Sequence, residues 1–151
     1  MRRFSIVLTC LFLVIGMMAV PATASEFSDT IVINQSITRV GDDSYYIETI
    51  SIPTIQVYSG TKRGTKTAAY VVSGTTIFSI SVTGTFNYDG TSSEATSASG
   101  LITAYVDGVS LNDRYAYTSG ASAYAFGSVS YHGATLQKTV TLTCDKDGNL
   151  S

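Results

Sequence analysis

IFSISVTGTFNY, residues Ile77–Tyr88, is the stretch on which the reading of this chain turns. Phe78, Ile80, Val82, Gly84, Phe86 and Tyr88 share one parity, and Ser79, Ser81, Thr83, Thr85 and Asn87 share the other. Successive side chains of a strand point to opposite faces. The segment therefore has one apolar face and one small, polar face, as a half-buried β-strand requires. Asp89-Gly90 follows at once and supplies the positive φ that a tight hairpin needs.

The same period extends in both directions. Thr30–Val40 reads as a strand ending in the turn Gly41–Asp43. Ser44–Tyr58 reads as another, interrupted by Pro53, which cannot donate to a ladder and implies an edge, a bulge or a strand switch. Thr67–Ser73 precedes the central stretch, and TKRGTK (Thr61–Lys66) before it, rich in threonine and basic charge around a glycine, is expected as a solvated turn. Beyond Gly90, strands are expected near Glu94–Ser97, Leu101–Asp107, Asp113–Thr118, Ser122–Tyr131 and Thr135–Cys144. Breaks are expected at SASG (97–100), DGVSLN (107–112), TSGAS (118–122) and HGA (132–134). Beyond the leader, no window carries the i, i+3, i+4, i+7 apolar pattern of a helix. Short, regularly spaced strands with turn chemistry between them predict an all-β fold, an antiparallel β-sandwich of immunoglobulin-like architecture in a single domain. The Cys…Trp…Cys signature of a true immunoglobulin domain is absent, because the chain has no tryptophan.

The first 24 residues read differently. Arg2 and Arg3 precede an unbroken apolar run, Phe4–Val20, and PATA then places small residues at Ala22 and Ala24. That is the pattern of a secretory signal peptide cleaved after Ala24. A retained anchor is the alternative, since a run of this length lies near the lower limit for spanning a bilayer. The small-residue site and the lack of positive charge after the run favour cleavage. Cys10 lies inside the apolar run, which speaks against lipidation. The expectation is a secreted, extracellular protein with no membrane insertion after cleavage.

Residues 25–151 then carry seven Lys/Arg against eleven Asp/Glu, a net charge of −4. There is no clustered positive footprint of the kind nucleic acid demands. Within residues 25–151, nineteen serines, nineteen threonines and ten tyrosines give strand-forming and turn-forming residues in abundance. Regular apolar alternation argues against reading this composition as disorder.

The end of the chain, TVTLTCDKDGNLS (Thr139–Ser151), poses a separate question. Cys144 is the sole cysteine beyond the leader, so a bridge within the processed chain is excluded. Val140, Leu142 and Cys144 lie on one face, and a free cysteine behaves as a small hydrophobe. Asp145 beside it opposes thiolate formation, so a core position is favoured over a reactive or intermolecular thiol. DKDGN opens like a calcium loop, but the glycine comes at the fourth position and no bidentate glutamate follows at the twelfth. It reads as a turn.

SVTGTFNYDG together with the terminal TVTLTCDKDGNLS resembles a group of small secreted β-rich proteins of Gram-positive bacteria, largely uncharacterised, from about Ala68 onward. Members of the group often carry a second cysteine where this chain has Ala95. The resemblance implies that Ala95 and Cys144 lie close across the fold, and it implies no catalytic residue.

No catalytic, cofactor-binding or metal site is assigned. His132 stands alone at a hairpin, no G-x-S-x-G elbow surrounds a serine, and no C-x-x-C or H-E-x-x-H occurs. Asp42-Asp43 occupy a turn. Glu48 and Glu94 stand isolated on strands; Glu48 shares parity with Ile50 and Ile52, which leaves partial burial open to it, but solvated surface charge is the favoured reading of both. Tyr105, Tyr115, Tyr117, Tyr124 and Tyr131 crowd the C-terminal third. They suit either core and rim packing or recognition of an extracellular protein or glycan. The function expected is a non-catalytic binding or structural module at the envelope or outside the cell. A bacteriocin-like toxin would require a basic or amphipathic segment, and an enzyme of unrecognised type would require a cleft gathering His132 or a carboxylate pair.

Overall fold

The computed structural model describes residues 29–54 and 60–151. The predicted signal peptide, with Cys10, and the predicted strand continuation to Tyr58 lie outside the described residues. Eight strands follow in chain order: β1 Thr30–Arg39, β2 Ser44–Pro53, β3 Thr61–Val72, β4 Thr75–Tyr88, β5 Ser93–Ala104, β6 Ser110–Ser119, β7 Ser122–Tyr131 and β8 Ala134–Thr143. They form two antiparallel sheets, a large one ordered β1-β2-β3-β4-β5 and a small one ordered β6-β7-β8. Each sheet is thus a run of consecutive hairpins. An immunoglobulin domain instead joins its strands by Greek-key connections.

Turn residues set the registers. Ser73-Gly74 and His132-Gly133 both have positive φ at the two central positions, the condition of a type I′ hairpin, whose twist matches that of the flanking strands. The Asp89-Gly90 hairpin is looser than the sequence suggests. Its loop runs from Asp89 to Ser92, and the Asp89 carboxylate accepts the N–H groups of Thr91 and Ser92 at 2.8 Å each.

The alternation of the central stretch is realised in β4, where Phe78, Ile80, Val82 and Phe86 are buried. They join Ala68 and Tyr70 of β3, Ala123, Ala125 and Val129 of β7, and Val140 and Leu142 of β8 in one core to which both sheets contribute. Two glycines allow the close approach. A Cβ on Gly84 would stand 2.8 Å from the Ala123 Cβ, and one on Gly127 would stand 2.6 Å from the Ile80 Cδ1. Ile77 and Phe78 are consecutive yet both buried. The β3–β4 register slips at this point, with Phe78 facing Tyr70 and Thr76 facing Val71, so a bulge turns both side chains out of solvent.

Two expectations are corrected. TKRGTK is not a solvated turn but the first half of β3, with Gly64 buried, because the fourteen-residue β4 pairs along its whole length as far as Asn87 opposite Thr61. SASG is not a break either. It continues β5 from Ser93 to Ala104, with Gly100 opposite Val82.

The small sheet covers only part of the large one. All ten residues of β1 are exposed, whereas β4 is buried along its inner face.

Candidate binding face

Two parities of the small sheet do different work. Ala123, Ala125, Gly127 and Val129 of β7 face the core. The alternate residues face outward, and there the registers bring rings together. Tyr115 of β6 stands opposite Phe126 of β7, and Tyr117 opposite Tyr124. Their ring centroids are 4.9 Å and 4.7 Å apart, with interplanar angles of 20° and 7°. Tyr115 and Tyr117 stack on one another at 6.2 Å along the strand. The result is a four-ring block on one sheet face, with Tyr115 at 53% and Tyr117 at 47% exposure.

Its flank along β8 is uncharged, while Asp113, two residues before Tyr115 on the same face of β6 and opposite Ser128, sets one carboxylate at its end. Tyr124 and Phe126 are followed across the ladder by Thr141 and Thr139 of β8. Ser122 and Thr143 close the end, their hydroxyls 2.9 Å apart. Apolar ring surface with hydroxyl tips and a hydroxyl border can hold a partner by stacking and by neutral hydrogen bonds. Cross-strand ring pairs also stabilise the sheet that carries them, so the block serves the fold as well.

Of the five tyrosines that the sequence placed in the C-terminal third, Tyr115, Tyr117 and Tyr124 meet on this face. Tyr105 instead reaches the large sheet, its hydroxyl 3.2 Å from that of Ser79. Tyr131 ends β7 on the opposite parity, its ring 4.1 Å from that of His132. Phe126 was missed. A signal for it existed: a two-residue turn at Gly120-Ala121 makes residues equidistant from it face each other, which pairs 117 with 124 and 115 with 126.

The groups weighed for chemistry are dispersed. His132 occupies a hairpin turn at φ 49°. Asp89 and Asp147 line an open cleft of about 430 Å³ with Tyr88, Lys146 and two glycines. The Ser92 and Thr91 N–H groups hold Asp89 below the usual carboxylate range, and Asp147 pairs with Lys146 at 2.8 Å. A general acid needs a raised pKa, so Asp89 is poorly suited to that role.

Glu48 is corrected. It is not solvated surface charge: its side chain is 20% exposed on the inner face of β2, with the Lys138 Nζ of β8 at 2.8 Å and the Lys66 Nζ of β3 at 3.7 Å. Burial alone would raise the carboxyl, but the two ammonium groups outweigh it and hold the pKa below its usual value. Lys138 also lies 4.9 Å from the Tyr46 ring centroid. The cluster ties the two sheets together where the small one ends.

The terminal stretch is core and turn. Cys144 is a buried free thiol, pushed up in pKa by burial and then by Asp145. Asp145 accepts the N–H groups of Asp147 and Asn149 and the Asn149 side-chain amide, all at 2.8 Å, which builds the turn. The chain then doubles back. Cys144 bridges Leu150, and Leu150 fills the space a side chain on Gly64 would need. Leu150 was not anticipated as core. Ala95 and Cys144 belong to the same core, and Ser93, two residues from Ala95, donates its hydroxyl to the Cys144 carbonyl.

No family model, curated protein or solved structure matches this chain.

Proposed function

We propose that this chain is a secreted, non-catalytic binding module that engages an uncharged polysaccharide of the cell envelope through the four-ring face of its small sheet. In this reading the processed protein begins after Ala24 and works outside the cell. Its fold is a two-layer sandwich, immunoglobulin-like in its layers though not in its strand order. Its kin are the small secreted β-rich proteins of Gram-positive bacteria that its sequence resembles.

The observation that carries the proposal is the exposure of Tyr115 and Tyr117 in a stacked block bordered by threonines and serines on its β8 side and by Asp113 at one end. Large apolar rings held in register at a surface are the side chains that dominate recognition interfaces. The hydroxyl border and the acidic balance of the chain suit a neutral, polyhydroxylated partner better than an anionic one.

The test is co-sedimentation of the purified protein with insoluble neutral polysaccharides and with envelope fractions, read alongside tyrosine fluorescence, which a tryptophan-free chain reports directly. Binding is expected to weaken by roughly 100-fold in the Tyr115→Ser/Tyr117→Ser double variant. Undiminished binding by that variant, or binding to protein and to no glycan fraction, would overturn the proposal.

A further inference from the structure

We infer that β1 is a pairing edge for a second copy of this chain, joining two large sheets into one continuous antiparallel sheet. The argument begins with what β1 lacks. It pairs with β2 on one side, and among the described residues no strand pairs with its other side. Such an edge presents a row of unpaired N–H and C=O groups, and proteins that must remain monomeric blunt it with lysine, proline, short length or coverage. β1 is ten residues long and contains neither lysine nor proline. Its one irregularity is a register shift between Val32 and Asn34.

Its side chains are also those of a strand awaiting neighbours. Ile31, Val32, Ile33 and Ile37 are all exposed, Ile37 at 66%. The central large-sheet strands contrast with this, burying one face against the small sheet. A strand added alongside β1 would place cross-strand neighbours about 5 Å from these residues.

Charge selects the occupant. Asp29 stands immediately before the strand and Arg39 ends it, with nine uncharged residues between. Asp42 and Asp43 follow in the turn to β2, past the strand end. Antiparallel pairing of two copies sets the Asp29 end of each against the Arg39 end of the other, twice by symmetry. Parallel pairing would set like charges together. A second copy therefore satisfies this edge at both ends, and the interface is isologous.

The test is sedimentation equilibrium of the purified protein over a concentration series, with hydrogen exchange of the β1 amides. The expected result is a reversible dimer whose β1 amides gain protection as it forms. Ile37→Lys is expected to abolish the dimer while leaving the circular-dichroism spectrum unchanged, because the side chain contributes nothing to the core. Arg39→Asp is expected to weaken association about tenfold, and Asp29→Lys/Arg39→Asp to restore it, the gain shrinking with added salt. A dimer indifferent to all three variants places the contact elsewhere and overturns the inference. So does a monomer at the highest soluble concentration. If its β1 amides are nevertheless protected, another part of the same chain covers the edge; if they exchange freely, the edge stays open.

Discussion

The two outer faces of this molecule are built on the same backbone geometry and end with opposite surfaces. Over β3 to β5 the large sheet presents Thr65, Thr67, Ser81, Thr83, Ser97 and Ser99, and over β6 and β7 the small sheet presents Tyr115, Tyr117, Tyr124 and Phe126. Apart from Leu101, exposed beside Ser81, the hydroxyl face is satisfied by itself. Thr65 and Thr83 lie 2.8 Å apart across the ladder, and Thr67 and Ser81 lie 2.9 Å apart. The ring face satisfies its members only on the sides that stack and leaves apolar area in water. A sheet needs only one face to fold, so alternation leaves the other free, and these two faces have used that freedom differently.

What keeps the faces back to back is the tight contact between the sheets, and the largest effect is expected there. Gly127→Val introduces branched carbon where Ile80 and Ile102 already stand, and should destabilise the protein by about 1–3 kcal/mol or more, read as a lower midpoint in urea denaturation. An unchanged midpoint would mean the two sheets are less firmly joined than their shared core implies. A smaller and more discriminating effect compares the faces directly. Tyr117→Ala/Tyr124→Ala removes one stacked pair, at an expected cost of about 0.5–1.5 kcal/mol beyond lost area. Thr65→Ala/Thr83→Ala removes one hydroxyl pair, and should cost roughly 1 kcal/mol or less. Equal losses by the same urea assay would mean that the two faces do not differ in what they contribute to the fold.

The smallest expected effect concerns the seam between the sheets and appears only in acid. Glu48 has a lowered pKa in the folded protein, so its contribution is present above its unfolded value of about 4.3 and is lost as pH falls through the folded value. The difference in stability between wild type and Glu48→Gln should therefore be visible at pH 7 and shrink towards pH 3. A difference constant with pH would show that the carboxylate charge is not what joins β2 to β8.

Much of this architecture is legible in the residues, and the reasons the rest is not are specific. Six of the eight strands follow from residue pattern and turn chemistry; β2, β4, β7 and β8 bury one face in the core, while β1 remains exposed and β6 nearly so. Lys62, Arg63 and Gly64 disguised the start of β3, since strand propensity there is weak and the partner β4 supplies the ladder. Ser97–Gly100 disguised the middle of β5 for the same reason. Glu48 shared the apolar parity of Ile50, yet its burial depended not only on Lys66 of the adjacent β3 but on Lys138 of β8 in the other sheet, a juxtaposition that no local pattern contains. The ring face was half legible: turn centres fix which rings meet, but their exposure depends on nothing packing over β6. The isolation of β1 follows from a count, three strands facing five, which only the assembled sheets reveal.

Consecutive strand order has a kinetic meaning. Every hydrogen-bonded neighbour in either sheet is also the next strand along the chain. Ladder formation then closes only short loops, and the far-apart encounters are left to the meeting of two prebuilt ribbons. Loop entropy is small for the first kind of event and larger for the second, so a folding transition state with zipped hairpins and an unfinished interior is the natural outcome of this topology.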